Sequence, residues 1–259
     1  MTITNTSAMY RLRVRRVKRT LAACLAFLLL CCAGYAGYAL ANSSFFDLAE
    51  ITVQGNNIVS RDEIIAISGM RIGANLLRFS RAQATANILS LPYIKDAEVS
   101  RTFPNRVGVR VSERTPAALV FDGEQYMALD ESGRCLTVSD RITAENAALP
   151  VIHSSEEASW LVPGEQVQDK GVLAALALIE SLDPFFLENI VSFDAPSAEK
   201  LAVINRDGLT VYFGFPEDLD RKLQNYEELL IKNAEKCNAE TLEYVDLRYD
   251  TQITLKWKQ

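Results

Sequence analysis

Between Arg19 and Asp47 the chain carries no charge, and the centre of that stretch, Leu21 to Ala41 (LAACLAFLLLCCAGYAGYALA), is 21 residues of almost unbroken apolar character. At about 1.5 Å per residue a helix of this length reaches roughly 30 Å, the thickness of a bilayer core. Arg11, Arg13, Arg15, Arg16, Lys18 and Arg19 all precede the run, and no Asp or Glu occurs before Asp47. By the positive-inside rule, residues 1–20 are a basic cytoplasmic tail, 21–41 a single transmembrane helix, and everything after Asn42 lies across the membrane. Tyr35 and Tyr38 fall near the outer end, where amphipathic rings favour the interface. The competing reading is a cleavable secretory signal, with Leu21 to Ala33 as its apolar core and Ala39-Leu40-Ala41 as a small-x-small cleavage site. The run is longer than such cores usually are, which favours a retained anchor. Cys31 lacks the preceding small residues of a lipoprotein signal, and Met9 is an alternative start because MTITNTSA carries nothing readable. Ala33 and Gly37 have a small-x-x-x-small spacing that suits packing against another helix or is incidental.

The charges beyond the run have the opposite sign. Of 27 basic and 33 acidic residues, the part after Asn42 holds 21 and 33 respectively. An acidic body repels nucleic-acid phosphates and anionic lipid headgroups, so neither is expected as its main partner. With 259 residues, 49% hydrophobic and 23% charged, the chain is no disordered or low-complexity protein. Cys24, Cys31 and Cys32 lie in the membrane run and read as small apolar residues. Cys135 and Cys237 lie outside it, far apart and without a C-x-x-C spacing, and are expected as buried thiols, with a disulfide between them left open.

Read in order, Phe46 to Val53 predicts a strand ending at Gly55-Asn56. Ser60 and Glu63 form a capping box ahead of a short helix that Gly69 ends, and Ser80 starts a second helix through Leu89, stopped by Pro92. Ala97 and Val99, then Val107, Val109 and Val111, alternate with polar neighbours and predict two strands joined at Phe103-Pro104-Asn105. From Pro116 the pattern turns to hairpins: Ala117 to Phe121 and Gln125 to Leu129 flank Asp122-Gly123, and Cys135 to Val138 follows Gly133. Ala144 to Pro163 reads as polar and irregular. Asp169 to Leu182 predicts a helix with Val172, Leu173, Leu176 and Ile179 on one side. Strands return at Ile190–Phe193, Lys200–Asn205 and Leu209–Phe215, followed by a helix over Glu217 to Lys236. Its stripe is Leu219, Leu223, Tyr226 and Leu230, with acidic residues opening it and Lys232 and Lys236 closing it. The end is extended, with Val245, Leu247 and Tyr249, then Ile253, Leu255 and Trp257, at odd positions; Val245 and Leu247 are assigned to the core.

Catalytic chemistry finds little support. The chain has one histidine, His153, placed by the pattern in the irregular segment beside Ser154 and Ser155, with no nucleophile-elbow motif to organise it. Glu156 and Glu157 are adjacent and point apart on any regular backbone, and Gly69 and Gly73 lack the Lys-Ser/Thr of a phosphate loop. No cofactor is expected. A membrane-held pair of β-rich modules without a reactive site suggests recognition by surfaces and sheet edges. The alternative from the residues is a membrane-anchored or secreted cell-wall hydrolase or cell-wall-binding module.

Three segments carry a family resemblance. Val99 to Ala117 (VSRTFPNRVGVRVSERTPA) combines an aromatic-Pro turn, an alternating valine strand and Glu113-Arg114-x-Pro116; Tyr126 to Gly133 reads YMALDESG; Tyr244 to Asp250 reads YVDLRYD. Together they resemble the FtsQ/DivIB family of bacterial cell-division proteins over nearly the entire chain. The resemblance implies an α+β architecture: a single transmembrane helix, a POTRA-like β-α-α-β-β domain over 45–114, and a second mixed, mainly antiparallel β domain with helices over 115–259. It implies a non-enzymatic membrane scaffold of the division septum that links early and late assembly. Its partners would be the FtsB/DivIC-type and FtsL-type proteins and, through them, the septal peptidoglycan synthase. In the family a partner adds a strand beside the last part of the β domain, and Tyr249, Thr251 and Trp257 fall on the participating positions. After Asp250 the residues TQITLK replace a more Gly/Ala-rich stretch. A terminal strand is in any case a candidate sheet edge, with Lys256 and Lys258 placed to discourage self-pairing, and Trp257 fits either core burial or a partner contact. Glu113 and Arg114 are expected as a surface or inter-domain pair.

Overall fold

The computed structural model describes residues 5–144, 146–154, 161–215, 217–233, 240–249 and 253–258; the side chains of 5–20, 185 and 230–233 are left aside. Thr251, Cys237, Glu156 and Glu157 lie outside the described residues. Helix α1 runs Asn5–Ala41, and its part Leu21–Ala41 is long and apolar enough to cross a membrane. The chain then forms two compact units, one holding residues 1–54, 61–85 and 98–110, the other 55–60, 86–97 and 111–259.

The elements after α1 follow the order β1 (Glu50–Gln54), α2 (Arg61–Ser68), α3 (Arg81–Leu89), β2 (Ile94–Thr102) and β3 (Arg106–Glu113). They build a three-stranded sheet of order β1-β3-β2 with β1 parallel to β3, the β-α-α-β-β arrangement implied by the resemblance. The alternation legible in the letters sets the faces: Val107, Val109 and Val111 are buried while Arg106, Arg110 and Ser112 are exposed. Gly69 ends α2 at φ +74°, and the Ser80 hydroxyl accepts the Gln83 N–H at 3.3 Å at the start of α3. The expected strand from Phe46 is shorter than the pattern suggests. Ser44–Phe46 makes a 3-10 turn, and the next residues bond to a loop instead of the sheet. The Leu48 N–H donates to the Ala74 carbonyl, and the Gly73 and Leu76 N–H groups donate to the Leu48 and Phe46 carbonyls, each at 2.8 Å. Their main-chain groups are taken before the ladder begins.

The second unit carries a nine-stranded sheet. Its strands are β4 (Pro116–Phe121), β5 (Tyr126–Asp130), β6 (Cys135–Ser139), β7 (Val151–Ser154), β8 (Ile190–Ala195), β9 (Ala202–Asn205), β10 (Thr210–Tyr212), β11 (Leu242–Asp246) and β12 (Thr254–Trp257). Helices α4 (Lys170–Ser181), α5 (Pro184–Leu187) and α6 (Leu219–Asn233) interrupt them. The spatial order is β12-β11-β10-β9-β8-β7-β4-β5-β6, with parallel pairs at β10–β11, β4–β7 and β7–β8 and antiparallel pairs elsewhere. The architecture is α+β, and this sheet is mixed and mainly antiparallel.

One segment departs from the sequence reading in an instructive way. The stretch read as irregular contains β7, a central strand pinned between β4 and β8, and His153 sits on it instead of in a loop. Only Ile152 of this strand is buried and His153 faces out, and four residues reading VIHS are too few for any periodic signal. Helix α4 is where the caps predict it: the Asp169 carboxylate accepts from the N–H groups of Gly171 and Val172. Its buried side includes Val172, Ala175, Leu176, Leu178 and Ile179, while Leu173 lies at the exposed margin. Val172, Leu178, Phe193, Leu201 and Val245 meet in one continuous core. Cys135 is buried there, and burial together with the Glu165 charge pushes its thiol up to about 11.

Candidate functional site

The residues that could do chemistry are dispersed. His153 is exposed on β7 with its ring edge-on to Phe121 at 6.3 Å. No cluster of three or more His, Cys, Asp or Glu that could hold a metal occurs among the described residues. Glu113 and Arg114 do not pair with each other. Glu113 accepts the N–H groups of Asn57, Ile58 and Val59 at 2.8–3.0 Å, and Arg114 bonds Asp130 at 2.6 Å. Successive residues of an extended segment project to opposite sides, so each tethers a different loop.

The two ends of the nine-stranded sheet differ. At one end, β6 is blunted: the Cys135 N–H donates to the Glu165 carbonyl and the Gly164 N–H to the Cys135 carbonyl, while a bulge opposite Leu129 breaks the regular register. At the other end lies β12, the last strand in the chain, bonded among the described residues to β11 alone. Tyr244, Val245 and Asp246 oppose Lys256, Leu255 and Thr254, and the Lys258 N–H donates to the Thr241 carbonyl at 2.9 Å. Alternation along an antiparallel ladder then turns the main-chain groups of Leu255 and Trp257 away from β11, toward the open side.

The side chains around this edge are aromatic and cationic. Asp246 binds Arg248 through both carboxylate oxygens, Oδ1 to Nε at 2.9 Å and Oδ2 to Nη2 at 2.6 Å. This hydrogen bonding outweighs burial and holds the Asp246 carboxyl below the usual carboxylate range. The pinned guanidinium lies 5.5 Å from the Tyr212 ring centre and 5.9 Å from that of Tyr249. Tyr244 stands edge-on to Tyr212 at 5.4 Å, and Lys256, paired with Glu243 at 3.0 Å, lies 5.5 Å from the Tyr244 ring. The hydrogen bond that the ammonium donates to Glu243 raises the Lys256 pKa, so the ammonium is charged at neutral pH. Tyr249 is 66% and Trp257 49% exposed, while Ile253 and Leu255 pack partly against the core and Val245 and Leu247 are buried. Among the described residues the edge thus offers main-chain groups of Leu255 and Trp257 turned away from β11, two exposed aromatic rings, and two cations each held by a carboxylate, features that suit strand addition.

Sequence reasoning named Tyr249 and Trp257 but not Arg248, Tyr212 or Tyr244 as parts of this cluster. The Asp246-x-Arg248 spacing was a usable sign, because residues two apart in extended chain share a side. Tyr212 was not accessible that way, since its proximity depends on the parallel β10–β11 pairing across α6.

Comparison with known proteins fits this architecture. The family model described as "POTRA domain, FtsQ-type" matches residues 46–114, and that described as "Cell division protein FtsQ/DivIB, C-terminal" matches residues 118–248. The cell division protein FtsQ of Syntrophotalea carbinolica is 27% identical over 95% of this chain and 86% of the relative. That of Geotalea daltonii is 28% identical over 87% and 81%. DivIB of Clostridium acetobutylicum is 30% identical over 39% of this chain and 41% of its own. A solved extracytoplasmic domain of DivIB from Geobacillus stearothermophilus aligns with 49% of this chain and 99% of that one at 17% identity and a TM-score of 0.32. With both family models matched in succession, the second over half of its length, the chain belongs to the FtsQ/DivIB family of cell division proteins.

Proposed function

We propose that the protein is a single-pass scaffold of the division site that captures FtsB/DivIC-type and FtsL-type partners by strand addition at β12. In this reading residues 1–20 stay in the cytoplasm, 21–41 span the membrane, and 45–114 and 115–259 act outside it as successive domains. Partner capture links early assembly to the septal peptidoglycan synthase without catalysis by this chain. Tyr249, Thr251 and Trp257 supply side-chain contacts flanking the added strand. The observation that carries the reading is the open side of β12, where an exposed tyrosine and tryptophan flank main-chain groups turned away from β11.

The test is capture of the outer coiled-coil segments of FtsB-type and FtsL-type partners by the full chain in detergent. Truncation before Thr251 is expected to abolish capture. Tyr249→Ala and Trp257→Ala are each expected to weaken it by about thirtyfold, the range of an interface anchor, with the thermal transition kept as a control. Undiminished capture by the truncated chain refutes the site, and a hydrolytic turnover on cell-wall material lost in His153→Ala refutes the non-catalytic reading.

A further inference from the structure

We infer that the loop between α2 and α3 is a membrane-docking surface that rests on the anionic headgroups of the leaflet where α1 ends, an inference that relies on Leu21–Ala41 being embedded. Three observations carry it. The first is position. The Asn75 side-chain amide donates to the carbonyl of Ala41, the last residue of α1, at 2.8 Å, and Arg78 hydrogen-bonds Asn42. The loop is therefore stitched to the end of the apolar run itself, and a headgroup layer extends about 5–8 Å beyond the hydrocarbon on each side.

The second is exposed apolar surface. Ile72 is 63%, Phe45 60% and Phe103 60% exposed. They belong to adjoining segments: Phe45 stacks edge-on with Phe46 at 5.2 Å, Phe46 stands edge-on to Phe103 at 6.4 Å, and the Phe46 carbonyl accepts the Leu76 N–H. Large apolar side chains gathered and left in water mark an interaction surface, and aromatic rings favour the interfacial zone.

The third is charge. In a body that is acidic overall, no Asp or Glu occurs from Ile64 to Lys95, while Arg71, Arg78 and Arg81 do. Arg71 and Arg81 are exposed and form no ion pair among the described residues. Asp47 pairs with Asn75 through the main chain, in an isolated antiparallel bridge, so one carboxylate accompanies the three arginines at this place. The net negative charge that argues against anionic lipid as a partner of the body as a whole is thus locally reversed where the chain leaves the bilayer. Interleaved arginine and apolar side chains match the phosphate and acyl boundary of a leaflet.

The experiment uses the full chain, with p-benzoylphenylalanine replacing Ile72, Leu77, Leu30 or Ile142 in turn, in phosphatidylcholine bilayers with and without phosphatidylglycerol. Lipid adducts are counted by mass spectrometry. The expected result is abundant adducts at 72 and 77, few at 142, and a drop of about fivefold at 72 for each of Arg71→Glu and Arg81→Glu in phosphatidylglycerol membranes. Adducts at Leu30 but no more at 72 and 77 than at 142 overturn the docking surface and leave the anchor standing. Absence of adducts at Leu30 overturns the embedded span and this inference with it. Adducts at 72 indifferent to phosphatidylglycerol and to both arginines overturn the anionic specification.

Discussion

Asp130 is buried on β5, and burial works against its charge, yet the Ser132 hydroxyl, the Arg134 N–H and the Arg114 guanidinium together hold its carboxyl below the usual range. Removing it strands Arg114 with little water to replace the lost partner, so Asp130→Ala is expected to destabilise the second unit by about 3 kcal/mol in chemical denaturation. The sign with pH follows from the depressed value. Its stabilisation is complete above the unfolded pKa near 3.9 and is lost as pH falls through the folded one. An Asp130→Asn chain should therefore show a flatter stability profile below about pH 4 than the wild type, and an equally steep profile would contradict the assignment. Cys135 makes the opposite case. With its thiol pushed up to about 11 by burial, it should resist iodoacetamide at neutral pH in the folded chain and react once denaturant is added, as read by peptide mass spectrometry.

Helix α4 lies so close to β8 that a methyl group on Gly171 would sit inside the van der Waals shell of the Ala195 carbonyl. Propensity alone favours alanine in a helix by about 1 kcal/mol. Here the backbone contact wins, and Gly171→Ala is expected to cost about 1–3 kcal/mol in thermal or urea unfolding. A stabilised variant would mean that the helix can move away from the strand freely. Elements like α4 were legible because their information is local: Asp169 caps, the apolar residues recur at helical spacing, and Pro184 follows. The alternating valines of β3 were legible for the same reason. Strand β7 was not, because a two-sided parallel strand gains its stability from β4 and β8, which lie 30 or more residues away on either side. The early end of β1 was misjudged because Phe46 and Leu48, good strand formers by composition, have their main-chain groups bonded to the Gly73–Leu76 segment.

At the scale of the whole chain, six cations precede the apolar run and an acidic body follows it. Reversing Arg11, Arg13, Arg15, Arg16, Lys18 and Arg19 to Glu should therefore place part of the population with its body on the cytoplasmic side. Protection of the 42–259 fragment from protease added outside spheroplasts measures that fraction, and full digestion would argue that the tail is not what orients the chain. The family was readable from three short segments because they encode turns and a strand junction. The cation cluster around Tyr212 and Arg248 was not, since it is assembled by pairing across α6. The unequal treatment of the sheet's two ends has a consequence for assembly. The chain's own Gly164 and Glu165 already occupy the main-chain groups of Cys135 at one end, whereas β12 at the other is bonded among the described residues to β11 alone, so the strand addition proposed above favours the β12 end. A strand seated there would carry an outer edge of its own, so guarding that new edge would fall to the guest and not to this chain.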